Sequence, residues 1–136
     1  MGIEEALEFV RTHHRGVLAT VRSDGRPQMS PIVAAVDRDG NVIISTREPS
    51  YKVRNLRRDP AASVCMFVDG FFGPWVQIDG VASIVALPEA MDLLVDAYRQ
   101  IAGDHDDWDA FRSAMVEEQR VIISIAPQRA GPNRAG

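Results

Sequence analysis

The sequence predicts one small domain built from antiparallel β-strands, a barrel or a sandwich, with peripheral helices. Six short runs are rich in β-branched and small apolar residues, and Asp-Gly turns at residues 24–25 and 39–40 join the first three. These runs do not alternate regularly with helical patterns, which disfavours a doubly wound nucleotide-binding fold. With 136 residues, the chain is too short for two ordinary domains.

The first half of the chain begins with a helix and continues as three strands. Ile3, Ala6, Leu7 and Val10 recur at helical spacing, so residues 3–14 are predicted to form an amphipathic helix. The runs "GVLATVR" and "PQMSPIVAAVD" flank the turn "SDGRP" and predict a β-hairpin, after which "NVIIST" forms the third strand. Because the connections are short, we expect these three strands to be antiparallel neighbours.

The second half is predicted to hold three strands and two long helical patterns. The runs "AASVCMFVD" and "WVQIDGVASIVAL" are strands four and five, with Gly80 as a bulge in the latter. A helix follows between Pro88 and Gly103, another covers "DDWDAFRSAMVEE", and "RVIISIAP" is the sixth strand. We expect the domain to comprise residues 1–127 and residues 128–136 to be a flexible tail.

The composition excludes several classes of function. The net charge of −4 argues against nucleic acid as a partner, because proteins that bind it usually present a basic surface. No apolar run approaches the length of a membrane span, and the N-terminus lacks the features of an export signal. We therefore predict a soluble, cytoplasmic protein without a membrane partner. Cys65 is the only cysteine and is expected to be a buried structural thiol.

Familiar catalytic and metal-binding signatures are missing from the sequence. It contains no glycine-rich nucleotide motif, no P-loop, no paired cysteines and no His-Glu-x-x-His. His13 and His14 end the first helix, where a cation complements the helix dipole. His105 lies among acids in "GDHDDWD", but Asp106 and Asp107 fit the start of the next helix. No metal site is therefore expected.

The segment "STREPSYKVRNLRRDP", residues 45–60, concentrates basic residues in an acidic protein. It holds five of the 15 basic side chains, including the only lysine, Lys52. A strand leads here into a helix with Ser50 as a plausible N-cap, an arrangement that favours a bound phosphate. The alternative is a solvated basic helix face, since Arg54, Arg57 and Arg58 are predicted to be exposed. The residue pattern alone leaves the two interpretations open.

Several blocks in a fixed order resemble the split-barrel flavin and deazaflavin family related to pyridoxamine 5'-phosphate oxidase. They include "GVLATVRSDGRPQMSPI", "ISTREPSYKVRNLRRDPAASV" and "WVQIDGVA" and extend from about residue 3 to residue 126. Within that family the chain is most similar to the branch of coenzyme F420-dependent oxidoreductases. The resemblance implies a six-stranded antiparallel split β-barrel that forms a homodimer, with two cofactor sites at the subunit interface.

The resemblance also implies a cofactor site. Ser50 and Lys52 would hold the cofactor phosphate, with Thr46 and Arg47 nearby. Strand two would line the ring system through backbone and apolar contacts, and strand five would approach it, possibly from across the interface. These residues are Met29, Ser30, Pro31, Ile32 and Val33 on strand two and Trp75 and Gln77 on strand five. Tyr51 stands where vitamin-B6 oxidases of the family usually have arginine, which favours coenzyme F420 over FMN.

The implied activity is hydride transfer from the reduced deazaflavin C5 to a small conjugated acceptor of the enone, quinone or tetrapyrrole type. The cofactor would provide the chemistry, which explains the missing acid, base and nucleophile cluster. The proton donor is either Tyr51 or solvent. Two alternatives stay open: an FMN-dependent oxidase or reductase, and a non-catalytic protein that binds a flavin, a deazaflavin or haem.

Overall fold

The computed structural model describes residues 1–132, and this part of the chain forms four helices and seven strands. The helices are α1 (Ile3–Thr12), α2 (Tyr51–Arg58), α3 (Met91–Ala102) and α4 (Trp108–Glu117). The strands are β1 (Arg15–Val21), β2 (Pro27–Val33), β3 (Ala35–Val36), β4 (Val42–Arg47), β5 (Ala61–Phe67), β6 (Trp75–Val85) and β7 (Arg120–Gly131). The predicted predominance of β-structure with peripheral helices is confirmed.

The strands form one antiparallel sheet in the order β2-β1-β5-β6-β7-β4-β3. Strands β2 and β3 lie at opposite ends of this order, yet a single residue, Ala34, separates them in the chain. The sheet must therefore curl until its two edges approach each other, as in a split barrel. Three of the six strand pairs, β1-β5, β6-β7 and β4-β7, join strands that are distant in sequence, which the short turns alone could not predict.

The second predicted strand is interrupted in the structure, which raises the strand count from six to seven. The backbone N–H of Ala34 still follows the register between β1 and β2 and donates to the carbonyl of His14, 2.7 Å away, and the carbonyl oxygen of Ala34 lies 2.8 Å from Nδ1 of the His14 side chain. Residues before this break pair with β1, as the predicted hairpin requires, and residues after it pair with β4. The expectation of three neighbouring strands is thus correct only when β2 and β3 are taken together.

Two apolar cores lie on opposite sides of the sheet. The barrel interior is filled from alternate positions, including Val42 and Ile44 of β4 and Ile123 of β7. Ile43 and Ile122 point the other way and pack under α3 and α4. Because β4 is buried on both faces, its sequence is a continuous apolar run rather than an alternating one.

Gly80 lies at the predicted irregularity of β6. The register between β6 and β7 shifts between Asp79 and Gly80, so the predicted irregularity at Gly80 is confirmed, but the extra residue, Gln128, lies on β7. A Cβ atom at residue 80 would lie 2.2 Å from the carbonyl oxygen of Ala126. Only glycine allows the two backbones to approach this closely.

The last strand continues beyond the predicted end of the domain. We expected a flexible tail from residue 128, but β7 reaches Gly131, and Arg129, Ala130 and Gly131 pair with β6. The apolar pattern of "RVIISIAP" ends at residue 127, whereas the backbone pairing continues beyond it. The residues after 127 pair at a more exposed end of the sheet, so they need not be apolar. Residues 133–136 of the predicted tail lie outside the described residues.

Two further features bear on the sequence predictions. Cys65 on β5 is half-buried rather than fully buried, and desolvation raises the pKa of its thiol. None of the helices within residues 1–132 has the length and apolar character needed to cross a membrane.

Candidate functional site

A pocket of about 750 Å³ lies between one end of the sheet and the helices α3 and α4. Its volume is in the range typical of small-molecule and cofactor sites. The structure brings five of the predicted cofactor-binding residues together in its lining. They are Pro31, Ile32 and Val33 of β2, Thr46 of β4 and Lys52 of α2.

Strand β2 forms one side of this pocket as an edge of the sheet. It pairs only with β1, so many of its backbone groups on the other side are free to bind a ligand. Pro27 and Pro31 fit such a position, because proline cannot donate to a central ladder. Both faces of the strand reach the pocket, since Ile32 and its neighbour Val33 point to opposite sides.

The first turn of α2 places Lys52 at the pocket. The turn before the helix is fixed by its backbone: the N–H of Glu48 donates to Gln119 on the β7 side, and the N–H of Ser50 donates to Arg47. Ser50 occupies the predicted N-cap position with extended backbone angles, but its hydroxyl does not cap the helix. Within residues 1–132, half-buried Lys52 has no ion pair or hydrogen bond.

The arginines that follow Lys52 are engaged elsewhere. Arg57 forms an ion pair with Glu48, and Arg58 donates to the carbonyl oxygen of Val21 and to Asn55. Arg54 stacks over the ring of Tyr51, with its guanidinium carbon 5.6 Å from the ring centroid. The basic cluster therefore divides into a lysine without a partner at the pocket and arginines that brace the helix surface.

Two buried hydroxyls have no partner. Of the buried side-chain nitrogen and oxygen atoms in residues 1–132, only Oγ of Ser30 and Oγ of Ser50 lack a hydrogen bond. Leaving a buried hydroxyl unpaired costs about 1–3 kcal/mol, so such atoms require an explanation. Both serines come from the elements that supply Ile32 and Lys52 to the pocket. Their unused donors and acceptors fit a bound polar ligand such as a phosphate-bearing cofactor.

The opposite wall of the pocket was not predicted as part of a site. It consists of apolar and aromatic side chains from α3 and α4, namely Leu94, Ala97, Tyr98, Ile101, Phe111 and Met115. The sequence pattern indicated only that these residues form apolar helix stripes, which is also the pattern of a core. Ile101 is 39% exposed, which distinguishes a pocket wall from a packed core. This exposure depends on how the helices lie on the sheet.

His105 also lines this wall, in the connection between α3 and α4. Its ring lies among Tyr98, Trp108 and Phe111, with centroid distances of 5.2, 5.7 and 5.6 Å. The carboxylate of Asp107 accepts from the N–H of Ala110 and caps α4, as the sequence predicted. Within the described chain, no three His, Cys, Asp or Glu side chains converge as a metal site requires.

Few charged residues line the pocket. Arg120 of β7 donates from Nε and Nη2 to one carboxylate oxygen of Glu118, at 3.0 and 2.8 Å. The opposite charges of Arg120 and Glu118 therefore cancel each other. The charge available to a ligand therefore comes from Lys52, and the remainder of the lining is largely apolar.

The other predicted site residues do not line this pocket. Met29 and Arg47 are exposed, on β2 and at the end of β4, and Ser30 and Ser50 are also outside the lining. Trp75 and Gln77 of β6 line a second pocket of about 400 Å³, which also contains Asp79 and Arg129. Within residues 1–132 the two pockets share no lining residue.

The second pocket is organised around the carboxylate of Asp79. Ser63 Oγ and Gln77 Nε2 donate to the same oxygen of this group, at 2.6 and 2.9 Å. These hydrogen bonds, first from Ser63 and then from Gln77, lower the pKa of Asp79, and the charge of Arg129 acts in the same direction. Gln77 is therefore held in place by a carboxylate that stays ionised.

This fold and these sequence blocks match the family model described as pyridoxamine 5'-phosphate oxidase, over residues 3–133. The chain belongs to this family, whose split-barrel fold its curled antiparallel sheet shares. The crystal structure of a conserved hypothetical protein from Mycobacterium tuberculosis is 31% identical, with a TM-score of 0.78 over 96% of this chain and 82% of that one.

More distant structures share the fold but differ in what they bind. An F420 reductase is 23% identical, with a TM-score of 0.72 over 96% of this chain and 97% of its own. HutZ, the haem storage protein from Vibrio cholerae, is 19% identical, with a TM-score of 0.71 over 96% of this chain and 94% of its own. At these identities the similarity shows the fold alone.

Proposed function

We propose that this protein is a coenzyme F420-dependent reductase that uses the reduced cofactor to reduce a small conjugated organic acceptor. The observations on which this rests are Lys52, a cation of the pocket lining with no partner within residues 1–132, and the unpaired buried hydroxyls of Ser30 and Ser50, which are close to pocket-lining residues in the chain but do not line the pocket themselves. Such a set fits the phosphate of a large cofactor. The existence of an F420 reductase with this fold supports the choice of cofactor.

The residues of the chain would bind and orient the cofactor rather than react themselves. Lys52 and Ser50 would hold the phosphate at the start of α2, where backbone N–H groups and the helix dipole also favour an anion. The edge of β2 would place the ring against Pro31 and Val33. When bound, coenzyme F420 supplies a hydride from its reduced ring, so the protein needs only to position the acceptor and exclude water.

We further propose that the functional unit is a homodimer. Trp75 and Gln77 were predicted to contact the same cofactor as Lys52, but in one chain they line a separate pocket. Lys52 and the pair Trp75 and Gln77 can contact one cofactor if Trp75 and Gln77 come from the second subunit. Exposed apolar side chains on the sheet, Met29, Val33 and Val81, offer surface for such an interface.

Binding titrations test the proposal directly. Purified protein is titrated separately with F420, FMN and haem, and binding is followed through the absorbance and fluorescence of each ligand. We expect F420 to bind and the reduced form to transfer its hydride to a quinone or enone. Tight binding of FMN without F420 would instead identify a flavin enzyme, and haem binding alone would identify a haem protein. Either result would overturn the proposal.

A further inference from the structure

Within the proposed reductase, the wall formed by α3 and α4 has the properties of an acceptor site. It faces residues 31–33 of β2 across the pocket and is built from Leu94, Tyr98, Ile101, Phe111 and Met115, together with His105. This wall offers flat aromatic and aliphatic surface without a cation. Because Arg120 is paired with Glu118 and Lys52 belongs to α2 and not to this wall, the described residues of the wall offer no free cation to an anionic acceptor.

In His105, a residue of this wall, the surroundings determine which ring nitrogen carries the proton. Its Nδ1 accepts a hydrogen bond from the backbone N–H of Asp107, 2.9 Å away. A nitrogen that accepts cannot carry a proton, so the neutral imidazole has its proton on Nε2. Three aromatic rings hold the plane of the imidazole, and within residues 1–132 its Nε2 has no partner.

We propose that this wall binds a neutral, planar quinone or enone and that His105 Nε2–H donates a hydrogen bond to its carbonyl oxygen. The inference rests on the proposed function, since the acceptor must lie beside the cofactor ring near β2. It excludes tetrapyrroles as substrates of this site, because their carboxylate side chains would require cations that the wall does not have.

The same hydrogen bond assigns His105 a part in the reaction. When a hydride adds to the β-carbon of an enone, a C–H bond forms, the C=C bond is lost and the electron pair moves to the carbonyl oxygen. A donor already directed at that oxygen stabilises the negative charge as it develops. Water then delivers the proton to the α-carbon. His105 remains neutral throughout, so its hydrogen bond to Asp107 is kept.

Binding of two matched probes tests this assignment without turnover. Equilibrium dialysis measures the affinity of the full chain, with and without bound F420, for 1,4-naphthoquinone and for naphthalene, which has the same rings but no carbonyl. In His105→Phe, which keeps an aromatic ring but deletes the N–H, we expect naphthoquinone binding to weaken about three- to tenfold, as for one neutral hydrogen bond. Naphthalene binding should stay unchanged.

Two control variants complete the experiment. His13→Phe makes the same substitution outside the pocket lining and should leave the preference for naphthoquinone intact, while His105→Gln, which restores an N–H donor, should recover part of the preference that His105→Phe loses. Equal losses for both probes, or no loss, would overturn the inference. An unchanged F420 affinity in His105→Phe would show that the variant is folded and that the cofactor site is separate. Failure of F420 to bind the wild-type protein would instead contradict the proposed function.

Discussion

At the scale of single residues, Lys52 separates a binding site from a basic surface. It lines the pocket without a partner among residues 1–132, whereas Arg57 on the same helix is paired with Glu48. We predict that Lys52→Ala weakens F420 binding by about 1.5–3 kcal/mol, the range for hydrogen bonds to charged groups, and leaves the melting temperature unchanged. Fluorescence titration and thermal unfolding measure the two effects.

The matched control is Arg57→Ala, which removes one positive charge from the same helix and breaks only an exposed ion pair. Exposed pairs contribute little to stability, about 0–1 kcal/mol, so this variant should behave almost as the wild type. Equal losses of affinity in both variants would mean that F420 responds to the overall charge of α2 and not to a specific contact by Lys52.

Ser50 permits a prediction in which two measurements change in opposite directions. Its buried hydroxyl has no partner and does not cap α2, so the protein without ligand gains nothing from it. Ser50→Ala should therefore keep or raise the free energy of unfolding of the apo-protein, because an unpaired buried hydroxyl costs about 1–3 kcal/mol. The same substitution should weaken F420 binding. Chemical denaturation and ligand titration provide the two values.

A structural role for Ser50 predicts the opposite pattern. Loss of an N-cap typically destabilises a helix by about 0.5–2 kcal/mol, so a destabilised apo-protein with normal affinity would contradict the ligand role. Asp107→Ala is a useful comparison, because the Asp107 side chain does cap α4. That variant should lose stability without affecting F420 binding.

The sequence predicted the side of the pocket formed by β2, β4 and α2, because the residues there belong to patterns that are short in sequence. A lone lysine after a strand and a serine at the start of a helix are visible in the sequence. Tyr98 was not identified, since its helix stripe has the same pattern whether it faces a core or a pocket, and His105 was not identified because it lies in the connection between α3 and α4, outside any periodic pattern. The hydrogen bond that orients His105 joins it to Asp107, two residues further along the chain. A contact this local produces no recognisable sequence pattern.

At the scale of the elements, the irregular pairing of β6 with β7 at Gly80 depends on a close backbone approach. A Cβ atom at Gly80 would meet the Ala126 carbonyl at 2.2 Å, whereas one at Gly70 meets nothing within 4 Å. We predict that Gly80→Ala lowers the free energy of unfolding by about 1–3 kcal/mol, as for other overpacked sites. Gly70→Ala should change it by less than about 0.5 kcal/mol. Urea denaturation of the two variants tests this contrast.

The pairing of β5 with β6 carries a pH dependence through Asp79. Hydrogen bonds from Ser63 and Gln77 lower the pKa of Asp79 in the folded state below its unfolded value. Its stabilising contribution is therefore complete above the unfolded pKa and is lost as the pH falls through the folded pKa. Ser63→Ala removes the largest contribution, so the pKa of Asp79 should rise towards that of an ordinary aspartate.

NMR titration of the side-chain carboxyl carbons measures this pKa. The control is Ser83→Ala on β6, an exposed serine with no hydrogen bond to Asp79. An Asp79 pKa that stays the same in Ser63→Ala would contradict the assigned cause, and the low-pH loss of stability should then also be unaffected.

The elements themselves were largely predictable because turns and periodicity are local. The Asp-Gly turns, the helix stripes and the glycine in β6 all indicated the observed elements. The break at Ala34 was missed, since "PIVAAV" is continuous in β-forming residues and the break depends on a change of pairing partner, from β1 before Ala34 to β4 after it. The extension of β7 was missed because ladder pairing at an exposed end imposes no apolar pattern.

At the scale of the whole molecule, barrel closure decides which residues meet. The single residue between β2 and β3 brings the two edges of the sheet together, so β2, β4 and α2 line one pocket together with α3, α4 and β7, which are distant from them in sequence. Closure of this kind also separates Trp75 and Gln77 from Lys52. No local pattern contains this information, and only the resemblance to a family indicated it in advance.

Subunit mixing tests whether each cofactor site is shared between two chains. Lys52→Ala removes a contact from one side of the proposed site and Trp75→Ala removes one from the other, so each homodimer should bind F420 weakly. In a mixed dimer, one site carries both substitutions and the other carries neither. When equal amounts of the two variants are unfolded and refolded together, random pairing should restore about a quarter of all sites to wild-type affinity. If each site lies within one chain, mixing restores none, and if Trp75→Ala alone binds normally, Trp75 is not a contact.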